Sequence, residues 1–190
     1  MTEVLHKAEW EIRTIPLSVA QDFVMRLHYT RGGSNTATYR HGLFRRGSAN
    51  CRGIAWWIPP TKSAAKATYR TNWGGVLCLS RLVLDPECPK NSASFLLAAS
   101  RRAIDRLRWP CLVTYADEWQ GHTGAIYRAD NWEYKGKTSP EPVFQIQGRM
   151  VARKAGPRTR THTEMVALGA ILVGRFSKHK FVHIKHEYDL

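Results

Sequence analysis

Apolar and polar positions alternate from Ala8 to Pro16 as in a strand, and Leu17-Ser-Val-Ala-Gln21 then shifts to helical spacing. Ser18 and Gln21 predict a capping box at the start of a helix that ends near His28. A loop bearing Gly and Asn, Arg31 to Thr36, leads to two strand-like runs, Tyr39 to Arg46 and Cys51 to Ile58. The polar turn between them, with Gly47 and Asn50, predicts a hairpin. Pro59 to Lys66 breaks the pattern and suits an exposed loop or a short helix beside the sheet.

Gly75 to Leu84 is apolar on both faces, which predicts a doubly covered strand in the middle of the sheet. A polar turn, Asp85 to Ser94, precedes an amphipathic helix over Phe95 to Arg108 with Arg101, Arg102 and Arg106 on its outer side. Cys111 to Tyr115 is a short buried strand, Gln120 to Arg128 a helix, and Trp132 to Gly136 the start of another strand. No internal repeat or low-complexity tract interrupts this series, and the length of 190 residues suits one domain, 1–190.

Charge narrows the function. Lys and Arg number 29 against 15 acidic residues, a net charge of +14, so the expected partner is a polyanion. The segment 148–190 holds nine Lys and Arg and three acidic residues, an excess of six, and the polyanion contact is expected largely there. The four cysteines, Cys51, Cys78, Cys88 and Cys111, form no C-x-x-C pair, which argues against a zinc knuckle or a disulfide framework. Neither a signal peptide nor a membrane-length apolar run is present, so the expected location is cytoplasmic, with no membrane partner.

The order strand, helix, hairpin, central strand, helix, strand, helix, strand resembles the N-acetyltransferase (GNAT) fold: α/β, with a central mixed, largely antiparallel sheet flanked by helices. In that fold, unpartnered N–H groups at the turn after the central strand and at the following helix start hold a coenzyme A pyrophosphate. The usual glycine-rich turn is replaced here by Pro89-Lys-Asn-Ser-Ala-Ser94, so Lys90, Asn91, Ser92 and Ser94 form the expected cofactor-binding set. A serine-rich helix start is by itself more often only a cap. Gly124-Ala-Ile-Tyr-Arg-Ala-Asp-Asn-Trp132 has the form of the fold's A-x-x-L-Y-x-x-x-G-F helix, whose tyrosine faces the leaving sulfur, with Trp replacing the final Phe. Tyr127 is the matching residue.

More specifically, the chain resembles the Mom family of phage DNA-modification proteins. The resemblance rests on His28-Tyr-Thr30, Leu79-Ser-Arg-Leu-Val-Leu84, Pro89 to Ser94, Tyr115-Ala-Asp117, Gly121 to Tyr127, Asn131-Trp132 and Ser177-Lys-His-Lys-Phe-Val182. It implies a phage enzyme, made in the bacterial host cytoplasm, that modifies N6 of adenine in double-stranded DNA and protects the DNA from restriction endonucleases. The resemblance implies catalytic roles for His28, Tyr29, Arg81, Asp117 and Tyr127. Arg81, in an apolar strand, must be paired, and Asp117 is the expected partner. Arg158, Arg160, Lys178, His179 and Lys180 are the expected DNA contacts; the family often has Arg where Lys180 stands. An adenine must leave its duplex to be reached, which implies a flipped base and an aromatic-lined pocket. Trp56, Trp57, Trp119 and Tyr39 are candidates for it, although such aromatics are more often core.

The group implied is carbamoylmethyl or its glycyl isomer. Two donors stay open: acetyl coenzyme A, with iron held by His28 and a carboxylate, or a glycyl unit from a charged tRNA, making tRNA a second partner. The oligomeric state is open, a homodimer being one option. Two other readings remain, a conventional N-acetyltransferase using acetyl coenzyme A on another amine and a catalytically inactive nucleic-acid-binding module.

Overall fold

The computed structural model describes residues 3–32, 34–155 and 158–185. In chain order the elements are β1 (Trp10–Thr14), α1 (Leu17–Leu27), β2 (Tyr39–Arg45), β3 (Cys51–Ile58), α2 (Lys62–Lys66), β4 (Val76–Leu84), α3 (Ser92–Arg102), β5 (Cys111–Asp117), α4 (Ala125–Ala129) and β6 (Glu133–Lys137). Then come β7 (Glu141–Ile146), β8 (Arg149–Val151), β9 (Lys154–Ala155), β10 (Arg158–Thr159), α5 (His162–Ala167), β11 (Ile171–Phe176) and β12 (Lys178–Ile184).

Seven strands form the main sheet in the order β1-β2-β3-β4-β5-β12-β6, with β4 in the middle as the sequence predicts. Every pair is antiparallel except β4 and β5. That parallel ladder runs only from Val76 opposite Cys111 to Leu79 opposite Thr114. Beyond it the two strands pair with their outer neighbours alone, so the sheet opens between them.

Helices cover both faces. Ala20, Phe23 and Val24 are one helical turn apart in α1 and are buried with Ile15, Phe44, Ile54, Trp56 and Val83. On the opposite face Leu96 and Leu97 of α3 are buried with Trp57, Leu77, Leu112, Tyr127, Trp132 and Phe181. The hydroxyl of Ser100, fully buried, lies 2.8 Å from the Trp57 indole N–H and 2.7 Å from His41 Nδ1, so one side chain satisfies two buried polar groups. Ala65 of α2 packs over Val76, Cys111, Val113 and Val182. A three-stranded sheet, β11-β7-β8, forms a smaller core with α5 around Phe144, Met165 and Ala170.

Several boundaries differ from the sequence reading. Helix α1 is capped by Pro16 without a side-chain bond, not by Ser18, because the chain turns into the helix two residues earlier. Helix α3 starts at Ser92 and stops at Arg102; Asn91, with φ of 74°, turns the chain into it. Arg101 is not a solvent-facing residue, since it makes a two-pronged ion pair with Asp130 at 2.8 and 3.0 Å. The helix expected over 120–128 is reduced to Ala125–Ala129, because Gly121 and Gly124 both adopt left-handed φ values, 70° and 76°. A Cβ on Gly124 would sit 2.2 Å from the Phe181 ring, so close packing and backbone conformation both require glycine there. Trp56 and Trp57 are core residues, 1% and 0% exposed. The predicted basic segment 148–190 includes 156–157 and 186–190, which lie outside the described residues, as does Gly33 of the predicted loop.

Candidate active site at the open end of the sheet

Asp117 ends β5 at the point where β4 has diverged, and it is only 7% exposed. Three donors hold its carboxyl. The Tyr29 hydroxyl donates to Oδ2 at 3.0 Å, Lys178 Nζ stands 3.3 Å from the same oxygen, and the Trp119 backbone N–H donates to Oδ1 at 3.3 Å. Lys178 is the cross-strand partner of Asp117 in the β12–β5 ladder, so both side chains emerge on one face. Tyr29 arrives from the other direction because α1 stops at Leu27 and His28 leaves the helix in an extended conformation.

The rings of His28 and Tyr29 are in tilted contact, with centroids 4.2 Å apart, and His122 meets Tyr29 edge-on at 6.3 Å. The Thr30 backbone N–H lies 3.2 Å from His28 Nδ1, and the Thr30 hydroxyl lies 2.8 Å from the same nitrogen, so Thr30 fixes the ring. Burial, the Arg81 guanidinium and His122 lower the His28 pKa to about 4, so the ring is neutral near pH 7. Burial and the Asp117 carboxylate push the Tyr29 phenol well above its ordinary value, and Tyr127 adds to the rise. Tyr29 therefore keeps its proton and its hydrogen bond to Asp117.

Arg81 is not the ion-pair partner of Asp117. Its guanidinium donates to Gly32 O at 3.0 and 3.3 Å and to Ser80 O at 2.7 Å, tying the loop after α1 to the central strand. The physical reason is the opening of the sheet: Arg81 lies past the last β4–β5 pair, where the two strands no longer face each other. Arg81 still belongs to the site, through its field on His28.

Tyr127 approaches from α4 on the opposite face. It is buried, packs at 5.3 Å on Phe181 and 5.8 Å on Trp132, and burial raises its pKa. A cavity of about 380 Å³ opens beside it, lined among others by Leu82, Leu84, Ala93, Ala116, Gly124 and Tyr127. The gap between β4 and β5 thus has the Asp117 cluster on one side and an apolar slot on the other.

The expected phosphate-binding set is only partly available. The Ser92 hydroxyl is buried and donates to Pro89 O at 2.8 Å, which removes it as a ligand for an anion. Lys90 holds the N-terminal segment through its backbone, with Leu5 N–H donating to Lys90 O at 3.0 Å, while its side chain is exposed. Asn91 is exposed and makes no cap bond, and Ser94 is half-buried. Among the described residues the N–H groups of Ala93 and Ser94 have no acceptor, and they stand at the positive end of α3.

The expected DNA contacts are divided between the two faces of β12 and the β10 segment. Lys178 belongs to the Asp117 cluster, His179 bonds Tyr134 at 3.1 Å on the opposite face of β12, and Lys180 donates to Ala67 O at 3.3 Å. Arg158 pairs with Glu164 at 2.8 Å, and Arg160 reaches Ala152 O at 3.4 Å. Among the described residues no three His, Cys, Asp or Glu side chains gather as metal ligands, so the donor set at His28 does not fit iron. No helix among them is long and apolar enough to cross a membrane. Sequence reasoning missed His122 and Trp119 as partners in the cluster, although both lie within the Tyr115 to Tyr127 stretch that carries it.

Solved structures share this architecture. A spermidine N-acetyltransferase variant from Vibrio cholerae superposes with a TM-score of 0.58 at 10% identity, over 96% of this chain and 97% of that one. The same organism's spermidine N-acetyltransferase, solved with coenzyme A and spermine, gives 0.54 at 10% identity, over 93% and 96%. The fold is therefore that of the GNAT acetyltransferases. Among curated proteins, the methylcarbamoylase mom of Escherichia phage Mu is 28% identical over 142 residues, 72% of this chain; the chain spans about half the length of that relative, 56%. The model of the Mom protein family matches residues 9–188, nearly the whole chain, and the chain belongs to that family.

Proposed function

We propose that the chain is a phage DNA-modification enzyme that adds a carbamoylmethyl group, or its glycyl isomer, to N6 of adenine and thereby protects the DNA from restriction endonucleases. The observation that carries this reading is Asp117, held between Tyr29 and Lys178 at the gap where the two faces of the sheet communicate. The exocyclic amine of adenine is a weak nucleophile, because its lone pair is delocalised into the ring. It needs a fixed position and a group that takes its proton as the new bond forms. Asp117 Oδ2 fills that role. Tyr29 and Lys178 orient the carboxylate, and neutral His28 offers a hydrogen-bonding edge to the base.

On the other face, the slot beside Tyr127 and the free N–H groups of Ala93 and Ser94 fit the acyl arm and the phosphates of a donor such as a coenzyme A thioester. A glycyl ester or thioester would balance the glycyl product: N6 bonds to the glycyl carbonyl carbon, the bond to the leaving oxygen or sulfur breaks, and Asp117 takes the N6 proton, whereas plain acetyl transfer gives N6-acetyladenine without the amide nitrogen. Tyr127, kept protonated by its burial, gives a proton to the leaving atom. A glycyl ester of tRNA is a donor of that kind, and its acceptor end would enter the same slot. The test is mass spectrometry of nucleosides from cells expressing the chain, beside an Asp117→Ala control. The expected result is a deoxyadenosine heavier by one two-carbon amide unit in the first culture only; equal spectra at equal expression overturn the reading. Reconstitution with acetyl coenzyme A or with glycyl-tRNA then assigns the donor.

A further inference from the structure

The face of the sheet that carries Asp117 and Lys178 continues toward α2, and the positive charge continues with it. Lys178 and Lys180 are two residues apart on β12 and point to the same face, and Lys180 Nζ donates to Ala67 O just past α2. Lys62, Lys66 and Arg70 are all exposed, and among the described residues none of them has a carboxylate within ion-pairing distance. They stand in an acid-free stretch, Phe23 to Leu84, that holds ten Lys or Arg and neither Asp nor Glu. Trp73 is 41% exposed, with Lys62 over one face at 5.1 Å, and with Lys66 and Arg70 it borders an open groove of about 550 Å³. Arg108 adds a further cation, donating to Gly74 O at 3.0 Å. Unpaired cations beside an exposed indole form the surface that single-stranded or locally opened nucleic acid uses, with phosphates on the cations and a base on the ring.

We infer that α2 and the following segment to Trp73 bind the DNA strand beside the target adenine. Lys62, Lys66 and Arg70 hold its phosphates, and Trp73 stacks on a base that leaves the duplex. The inference rests on the DNA reading above and names a surface for it, since of the cations expected from 148–190, Arg158 is paired with Glu164 and Lys178 with Asp117.

The test is binding of a labelled adenine-containing duplex, and of its single strand, across a salt series. The proteins are the wild type, a Lys62→Ser, Lys66→Ser, Arg70→Ser triple variant, a Trp73→Ala variant, and a control of equal charge loss, Lys7→Ser, Arg102→Ser, Arg149→Ser. All substituted residues are exposed, and circular dichroism checks each fold. The triple variant is expected to bind at least about tenfold more weakly, with a salt slope reduced by about two to three. Trp73→Ala is expected to weaken single-strand binding by about five- to a hundredfold at unchanged slope. Wild-type affinity and slope in the triple variant, or an equal loss in the control, overturns the inference while the function stands if adenine is still modified. Loss of tRNA binding with DNA binding intact also overturns it. A wild type that neither binds DNA nor modifies adenine removes the function and the inference together.

Discussion

Tyr29 donates a hydrogen bond to Asp117 across 88 residues of chain, joining the end of the first helix to the end of the fifth strand. It is the contact through which the covering helix and the open sheet share one carboxylate. Tyr29→Phe removes the donor and keeps the ring on His28, so we expect modified adenine to fall by about tenfold to a hundredfold through misplacement of the carboxylate. Asp117→Asn is expected to cost more, about a hundredfold or greater, because the proton acceptor itself is lost. Nucleoside mass spectrometry measures both, and wild-type modification in Tyr29→Phe would show that the bond has no part in catalysis.

Acid should loosen the fold through histidine. His28 and His183 have pKa values lowered to about 4 from 6.5, in both cases first by burial, and burial also lowers His41. The unfolded chain therefore binds more protons than the native one between pH 6.5 and 4, so native stability is complete above pH 6.5 and declines as the pH falls through that window. Urea unfolding at a series of pH values should show this decline, and His28→Gln should make it shallower. An identical pH profile in that variant would mean that His28 has the same proton affinity in both states.

Gly124 is constrained by its φ of 76° and by the Phe181 ring 2.2 Å from where a Cβ would stand. Gly124→Ala is expected to destabilise the protein by about 2–4 kcal/mol, combining left-handed strain with overpacking. Gly121, with φ of 70° and open space around it, should lose only the conformational part on the same substitution, about 1–2 kcal/mol. Denaturant midpoints of the two variants test the difference directly.

Ser100→Ala is expected to cost about 2–4 kcal/mol, since it strands the Trp57 indole N–H and His41 Nδ1 inside the core. A loss below 1 kcal/mol would mean that a water replaces the hydroxyl.

The strands were legible because burial writes itself into their pattern: β2, β3 and β4 fall within a residue of their predicted limits. The site residues were legible as a set because they cluster at strand and helix ends, yet their pairing was not. Arg81 and Asp117 look like natural partners on adjacent strands, and only the point at which the β4–β5 ladder stops, a property of the whole sheet, separates them. The same limit applies to Lys178. As a sequence motif it is one cation in a basic run, and its register opposite Asp117 exists only once β12 has entered the sheet. Helix α4 was overextended because its apolar spacing continues backward through Gly121 to Gly124, where backbone conformation overrides pattern.

The position of β12 makes completion of the sheet a long-range event. This strand, residues 178–184, is the last among the described residues, yet it is paired on both sides, with β5 and with β6. Without it, β5 has an open edge, β6 has no strand partner, and Asp117 lacks Lys178. Pairing β12 with β5 is a non-local closure, of the kind that forms slowly and leaves a strand edge open to other chains meanwhile. The carboxylate of Asp117 therefore gains its lysine partner only when β12 is in the sheet.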